Sequence, residues 1–150
     1  MTLEADIVVA AQGWLGTPYQ HQASLKQVGC DCLGLLRGVW REVKGDEPEM
    51  APPYAPRWND AAKSDLLLEM AERNFCRKAK DEPIEVADIL LFRYRQHLPT
   101  RHVAIAISND RFIHAYAGRG VVVNGFSAWW QRHLVGRYGW IEPSTDKIIR

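Results

Sequence analysis

The hydrophobic period of this chain changes once, near residue 89, and that change limits the folds open to it. Before it, apolar residues recur at helical spacing. Ile7, Ala10, Ala11, Trp14 and Leu15 mark a helix over 3–15 that Gly16-Thr17-Pro18 ends. Asp31 opens a second helix, in which Cys32, Leu35, Leu36, Val39 and Trp40 share a face. A third pattern, through Leu66, Leu67, Met70 and Phe75, predicts a helix over 60–80. After residue 89 the chain reads as short strands at 89–94, 102–108, 111–116, 121–124 and 137–141, separated by Asn, Asp, Gly and Pro. Helices first and strands afterwards predict an α+β domain, with amino-terminal helices packed on a central antiparallel sheet. The stretch 45–59 clusters Pro48, Pro52, Pro53 and Pro56 around Tyr54 and Trp58, which predicts an ordered surface loop.

Several function classes are disfavoured by arithmetic. Lys and Arg number 19 against 18 Asp and Glu, and a net charge of +1 supplies no surplus cations for a nucleic-acid clamp. No run of about 18 apolar residues exists to insert in a bilayer. Glu4 and Asp6 stand where a secretory signal carries Lys or Arg, so the expectation is synthesis in the cytoplasm without a signal peptide. Three cysteines cannot all pair, and Cys30 and Cys32 lie too close along the chain for an unstrained disulfide with each other. A disulfide framework is excluded, and one thiol becomes a candidate for chemistry.

Cys32 is that candidate. At a helix amino terminus the unsatisfied amides and the dipole favour thiolate over thiol. Its base would be His102, which begins the strand His102-Val103-Ala104-Ile105-Ala106-Ile107. Alternation puts His102, Ala104 and Ala106 on one face, and the small alanines would let the cysteine helix approach that face. His114 would be the third member, on a condition of parity. A two-residue turn at Asn109-Asp110 puts the histidines on opposite faces, whereas a three-residue turn over 108–110 sets Ala104 opposite His114 and His102 diagonal to it. Cysteine, base and orienting residue form a nucleophilic hydrolase set. The helix-terminal amide of Cys32 and the hydroxyl of Tyr19 are candidate oxyanion donors, and Asp31 is a further substrate-binding or oxyanion candidate.

These residues resemble the NlpC-type cysteine peptidases, papain-like enzymes that cut peptidoglycan stem peptides. The blocks are Gly16-Thr17-Pro18-Tyr19, Asp31-Cys32-Leu33-Gly34-Leu35, Val86-Ala87-Asp88-Ile89-Leu90-Leu91-Phe92, and His102-Val103-Ala104-Ile105 followed by Phe112-Ile113-His114-Ala115. The resemblance implies Cys32 as nucleophile, His102 as base, His114 as third residue and Tyr19 as a site tyrosine, with no cofactor and no metal. It implies cleavage between the side-chain carboxyl of D-glutamate and a diamino acid. The blocks over 29–35 and 53–58 resemble the branch carried on tails of phages and gene transfer agents, which implies tail or baseplate partners and action in a target cell's periplasm. Leu33 stands where most members have Ser or Thr, Gln22-Ala23 where many have paired glycines, and Ala87 where Gly is usual.

Two other readings compete. Cys30, Cys32, His21, His102 and His114 offer four zinc ligands, although structural sites usually separate paired cysteines by two to four residues. A non-catalytic tail component would use Tyr54, Trp58, Trp129, Trp130 and Trp140 as interface anchors. Arg93, Arg95 and Arg101 around His97 read as a solvated loop, Trp129 and Trp130 as the inward face of a short helix, and His21 and His133 as ordinary surface residues.

Overall fold

The computed structural model describes residues 2–52, 54 and 65–141. Each of its three longer helices starts on a side-chain oxygen that satisfies an orphan amide. The Thr2 hydroxyl accepts from Ala5 N at 3.1 Å to start α1 (Leu3–Gln12), and Asp31 accepts from Gly34 N at 2.7 Å to start α2 (Cys32–Lys44). Asp65 accepts from Leu68 N at 3.0 Å to start α3 (Leu66–Asn74). Between α1 and α2 lies a small hairpin of β1 (Ser24–Leu25) and β2 (Gly29–Cys30).

After α3 come β3 (Cys76–Lys78), β4 (Ile89–Phe92), β5 (His102–Ala106), β6 (Arg111–Tyr116), β7 (Gly120–Gly125), the short helix α4 (Ala128–Arg132) and β8 (Leu134–Gly139). They form one six-stranded sheet in the order β3-β8-β4-β5-β6-β7, with every pairing antiparallel. The α+β architecture expected from the sequence is therefore the observed one.

Expectations change at two elements and at the faces of the sheet. The third helix stops at Asn74, because Phe75 turns extended (φ −133°) and the next three residues pair with β8; residues 60–64 of that expected helix lie outside the described residues. The last strand begins at Leu134 rather than at residue 137, and so includes Arg137 deep in the sheet. The loop expected over 45–59 is described only at 45–52 and 54.

The third change concerns the faces of the sheet. Helices α1, α2 and α3 cover the Val103, Ile105, Ile113 and Ala115 face, not the alanine face. Ala104 and Ala106 instead make room for Phe92, Phe112 and Trp130, which close the second face together with Leu90, Leu134 and Ile84. The alanines are small because three large aromatic rings lie over them.

Arg137 and Asp88, both 1% exposed, join β8 to the turn before β4 at 2.9 Å. Arg137 also donates to the Ala79 carbonyl (2.8 Å) and to Glu85 (2.8 Å), while Lys78 reaches Asp88 at 2.6 Å. A buried guanidinium with this many acceptors is a fully partnered charge. Arg101, read as part of a solvated cluster, is 9% exposed and packs inside.

Candidate active site

The parity condition on the histidine strands is met. Ile105 pairs with Ile113 and Ala106 with Phe112, and Ile107 N donates to Arg111 O, so the turn holds three residues. His102 and His114 then sit diagonally on one face, and His102 Nε2 lies 2.7 Å from His114 Nδ1. His114 Nε2 in turn lies 2.8 Å from Asn124 Oδ1. Asn124 does not figure among the residues singled out from sequence.

The register that brings Asn124 there repeats the same parity. Tyr116 pairs with Gly120 across a three-residue turn, Val122 faces His114, and Asn124 falls diagonal to His114 on the histidine face.

With the Asn124 oxygen toward His114, the chain of contacts has one consistent proton assignment. A side-chain carbonyl at Asn124 accepts, so His114 carries its proton on Nε2 and its Nδ1 accepts from His102 Nε2–H. His102 Nδ1 is then unprotonated, the tautomer a general base needs. Turning the Asn124 amide round would reverse every bond and put a proton on His102 Nδ1.

Aromatic rings enclose the pair. Trp130 lies 5.8 Å from His102 and 5.4 Å from His114 between ring centroids, and Tyr94 stacks on His102 at 6.4 Å. Burial holds His102 well below its ordinary value of 6.5, and the neighbouring His114 adds to the effect. Burial also lowers His114 to about 4, although the hydrogen bond His114 donates to Asn124 acts upward. Both rings are therefore neutral at pH 7.

Cys32 approaches from the helical face of the sheet. The amides of Val103, Leu33 and Cys32 itself act on its sulfur and pull the thiol down, and Val103 is the residue after His102. Burial, with the adjacent Asp31 carboxylate adding to it, outweighs them and pushes the thiol up to about 12. The thiolate expected from the helix terminus alone is thus not the resting state. Cys32 therefore rests as a neutral thiol and the two histidines as neutral imidazoles.

Asp31 has no capacity as an oxyanion donor, since its oxygens accept. Oδ1 takes Gly34 N, and Oδ2 takes Gln22 N at 2.7 Å and the Tyr54 hydroxyl. It fixes the nucleophile's helix, the Gln22 turn and Tyr54 at once. His21 Nε2 (2.9 Å) and Gln22 Nε2 (2.6 Å) both reach the Tyr54 carbonyl, so His21 is part of this assembly and not an ordinary surface residue. Tyr19, half-buried, feels the charges of Cys32 and Asp31, and burial raises its hydroxyl, which stays protonated and able to donate. Tyr94, raised by burial and by the charge of Cys32, is a third tyrosine within electrostatic reach of the sulfur, and it carries no signal in the sequence.

The departures noted in sequence fall on informative backbone. Gln22 and Ala87 hold left-handed φ of 63° and 73°, the conformation that favours the glycine usual there. Cys30 is buried and its thiol is pushed up to about 12 by burial, whereas Cys76 is exposed. A zinc ion would need ring nitrogens that are already engaged: His102 Nε2 and both nitrogens of His114. Of the proposed interface aromatics, Trp130 is buried, Tyr54 and Trp140 are partly buried, Trp129 is 41% exposed, and Trp58 lies outside the described residues. His133 stacks on Trp129 at 3.9 Å.

The pattern of the NlpC/P60 family matches residues 16–138, which include every residue of this site. The chain belongs to the NlpC/P60 family. Among other members it is 27% identical over 120 residues to a Haemophilus influenzae protein named "Probable endopeptidase NlpC homolog", matching 79% of this chain and 53% of that one. The chain thus spans about half the length of that relative. Its fold is similar to that of an NLP/P60 family protein of Staphylococcus aureus described as similar to lipoprotein (TM-score 0.64, 22% identity, 94% of this chain and 42% of that one). It is also similar to the NlpC/p60 domain of the peptidoglycan hydrolase SagA (TM-score 0.63, 23% identity, 91% and 97%). These structures share the helices packed on an antiparallel sheet.

Proposed function

We propose that this protein is a cysteine endopeptidase that cleaves peptidoglycan stem peptides at the bond between D-glutamate and a diamino acid. The observation that carries the reading is the His102–His114–Asn124 chain, at 2.7 and 2.8 Å, with the Cys32 sulfur beside the Val103 amide. The relatives named as an endopeptidase homologue and as a peptidoglycan hydrolase support the substrate class.

In this mechanism His102 Nδ1 takes the thiol proton as Cys32 Sγ attacks the D-glutamyl carbonyl carbon. The oxyanion is met by the Cys32 amide and the Tyr19 hydroxyl. His102 passes the proton to the leaving amine, the C–N bond breaks, and a thioester remains on Cys32. Water, its proton drawn off by His102, hydrolyses the thioester and restores the thiol. His114 and Asn124 hold the base in the required tautomer. No step uses a cofactor.

Mass spectrometry of muropeptides incubated with the protein tests this. New D-glutamate carboxyl termini with wild type, and none with Cys32→Ala, are expected; equal digestion by both would refute the mechanism. Labelling of Cys32 by an alkylating reagent is best read in Cys76→Ser, because exposed Cys76 reacts as well.

We extend the reading to delivery on a phage-like tail, on the strength of the blocks over 29–35 and 53–58. Particles carrying Cys32→Ala should attach and fail to penetrate an intact wall. Full DNA delivery by them would make the domain a structural part of the tail instead.

A further inference from the structure

A cavity of about 390 Å³ opens beside the histidine relay and is lined by Tyr116, Arg119, Asn124, Trp129 and Trp130. It is contiguous with the relay through two of these residues. Asn124 holds His114 with its side-chain oxygen, and Trp130 packs edge-on against the same ring. Its walls are aromatic and open to solvent, with Tyr116 37% and Trp129 41% exposed. Exposed aromatic rings grouped in this way commonly mark a contact surface.

Two polar groups face this space without partners. Arg119, on the turn between β6 and β7, has no side-chain hydrogen bond or ion pair among the described residues. Asn124 has its oxygen engaged by His114 while its amide nitrogen is without a partner among the described residues. A cation and a neutral donor at the rim of an apolar slot fit one ligand chemistry, an aliphatic chain that ends in a carboxylate.

We propose that this cavity is the leaving-side subsite, and that it takes a residue whose aliphatic chain packs on Tyr116 and Trp129 and whose free carboxylate pairs with Arg119. The assignment of side rests on the endopeptidase reading above. The acyl side of the scissile bond is at the α2 terminus, with Asp31, Tyr19 and Tyr54. The leaving amine must face the base that protonates it, and two residues of the cavity wall, Tyr116 and Trp130, stand 6.2 and 5.8 Å from the His102 ring between centroids. The enzyme would then distinguish a stem peptide with a free carboxylate on its diamino acid from one whose carboxylate is amidated.

Two peptide substrates that differ only in that group, free acid or carboxamide, provide the catalytic test. Wild type should favour the free acid by about tenfold in kcat/KM, the scale of one charge-assisted contact. Arg119→Gln should erase the preference by raising KM for the free acid to that for the carboxamide. Equal rates on both peptides in wild type, or an unchanged preference in Arg119→Gln, would overturn the subsite while the endopeptidase reading stands.

A binding arm needs no turnover. The leaving-amine product, which begins with the diamino acid, is titrated as acid and as amide into Cys32→Ala protein while the indole resonances of Trp129 and Trp130 are followed. The acid should move both, about tenfold more weakly in Arg119→Gln. Binding without cleavage by wild type would retire the endopeptidase reading and keep the subsite. Neither binding nor cleavage would remove both.

Discussion

Cys32 sits between opposed influences, and the balance decides how the site works. Three amides favour its thiolate and burial beside Asp31 opposes it, with burial the larger. The base is held neutral by burial as well. A pair that starts neutral needs His102 unprotonated and in the right tautomer, which makes Asn124 a positioning residue. Asn124→Leu should lower kcat by about tenfold or more, since one tautomer-fixing bond is lost. Asn124→Asp keeps an acceptor, so kcat should largely survive. Its added charge favours protonated His114, so the acid limb of the pH profile should move up. Equal kcat for Asn124→Leu and wild type would remove Asn124 from the relay. Cys32, His102 and His114 were legible from helix periodicity and strand parity. Asn124 obeys the same parity one turn later, across a three-residue turn over 117–119, but an asparagine at the end of a strand carries no chemical signal of its own in the sequence.

At the scale of elements, α2 must come close to its neighbours for Cys32 to reach β5, and glycines permit it. A Cβ on Gly34 would stand 1.8 Å from the Ala23 carbonyl oxygen, a backbone atom held by its own bond from Asp31 N. A Cβ on Gly38 would stand 2.0 Å from the Trp14 ring of the segment after α1. Gly34→Ala should therefore lower stability by about 2–3 kcal/mol and displace the nucleophile, despite alanine's better helix propensity. Thermal melts by circular dichroism with turnover measured alongside would check it, and a melt at or above the wild-type temperature would contradict the contact. The sequence located α2 closely because the capping aspartate and the apolar stripe agree. It misplaced the end of α3, since Cys76-Arg77-Lys78 is a short charged edge strand whose only signature is its partner β8. The covering of the alanine face was equally hidden, because small residues admit a helix or large rings alike.

Over the whole molecule, the buried histidine pair links folding to pH with a definite sign. Unfolded, each imidazole titrates near 6.5; folded, His114 titrates near 4 and His102 well below 6.5. Above pH 6.5 both states hold the rings neutral, and the fold keeps its full stability. As pH falls below 6.5 the unfolded chain binds protons that the native rings do not, so stability declines until pH passes the folded values. The His114 shift alone corresponds to about 3 kcal/mol, a sizeable part of the roughly 5–15 kcal/mol that holds a domain. Carboxylates protonating over the same range, Glu47 and Glu49 among them with values lowered by Arg37 and Arg73, add to the decline, so the histidine share must be taken by difference. His114→Gln preserves a donor and an acceptor between His102 and Asn124 while removing the titration. Urea unfolding of wild type and variant at pH 7 and at pH 4.5 isolates the effect. Wild type should lose about 2–3 kcal/mol more than the variant between those pH values, with the carboxylate contributions cancelling. Equal losses would mean that His114 titrates near its ordinary value, and that the aromatic enclosure by Trp130, Phe112 and Tyr116 does not keep the relay neutral.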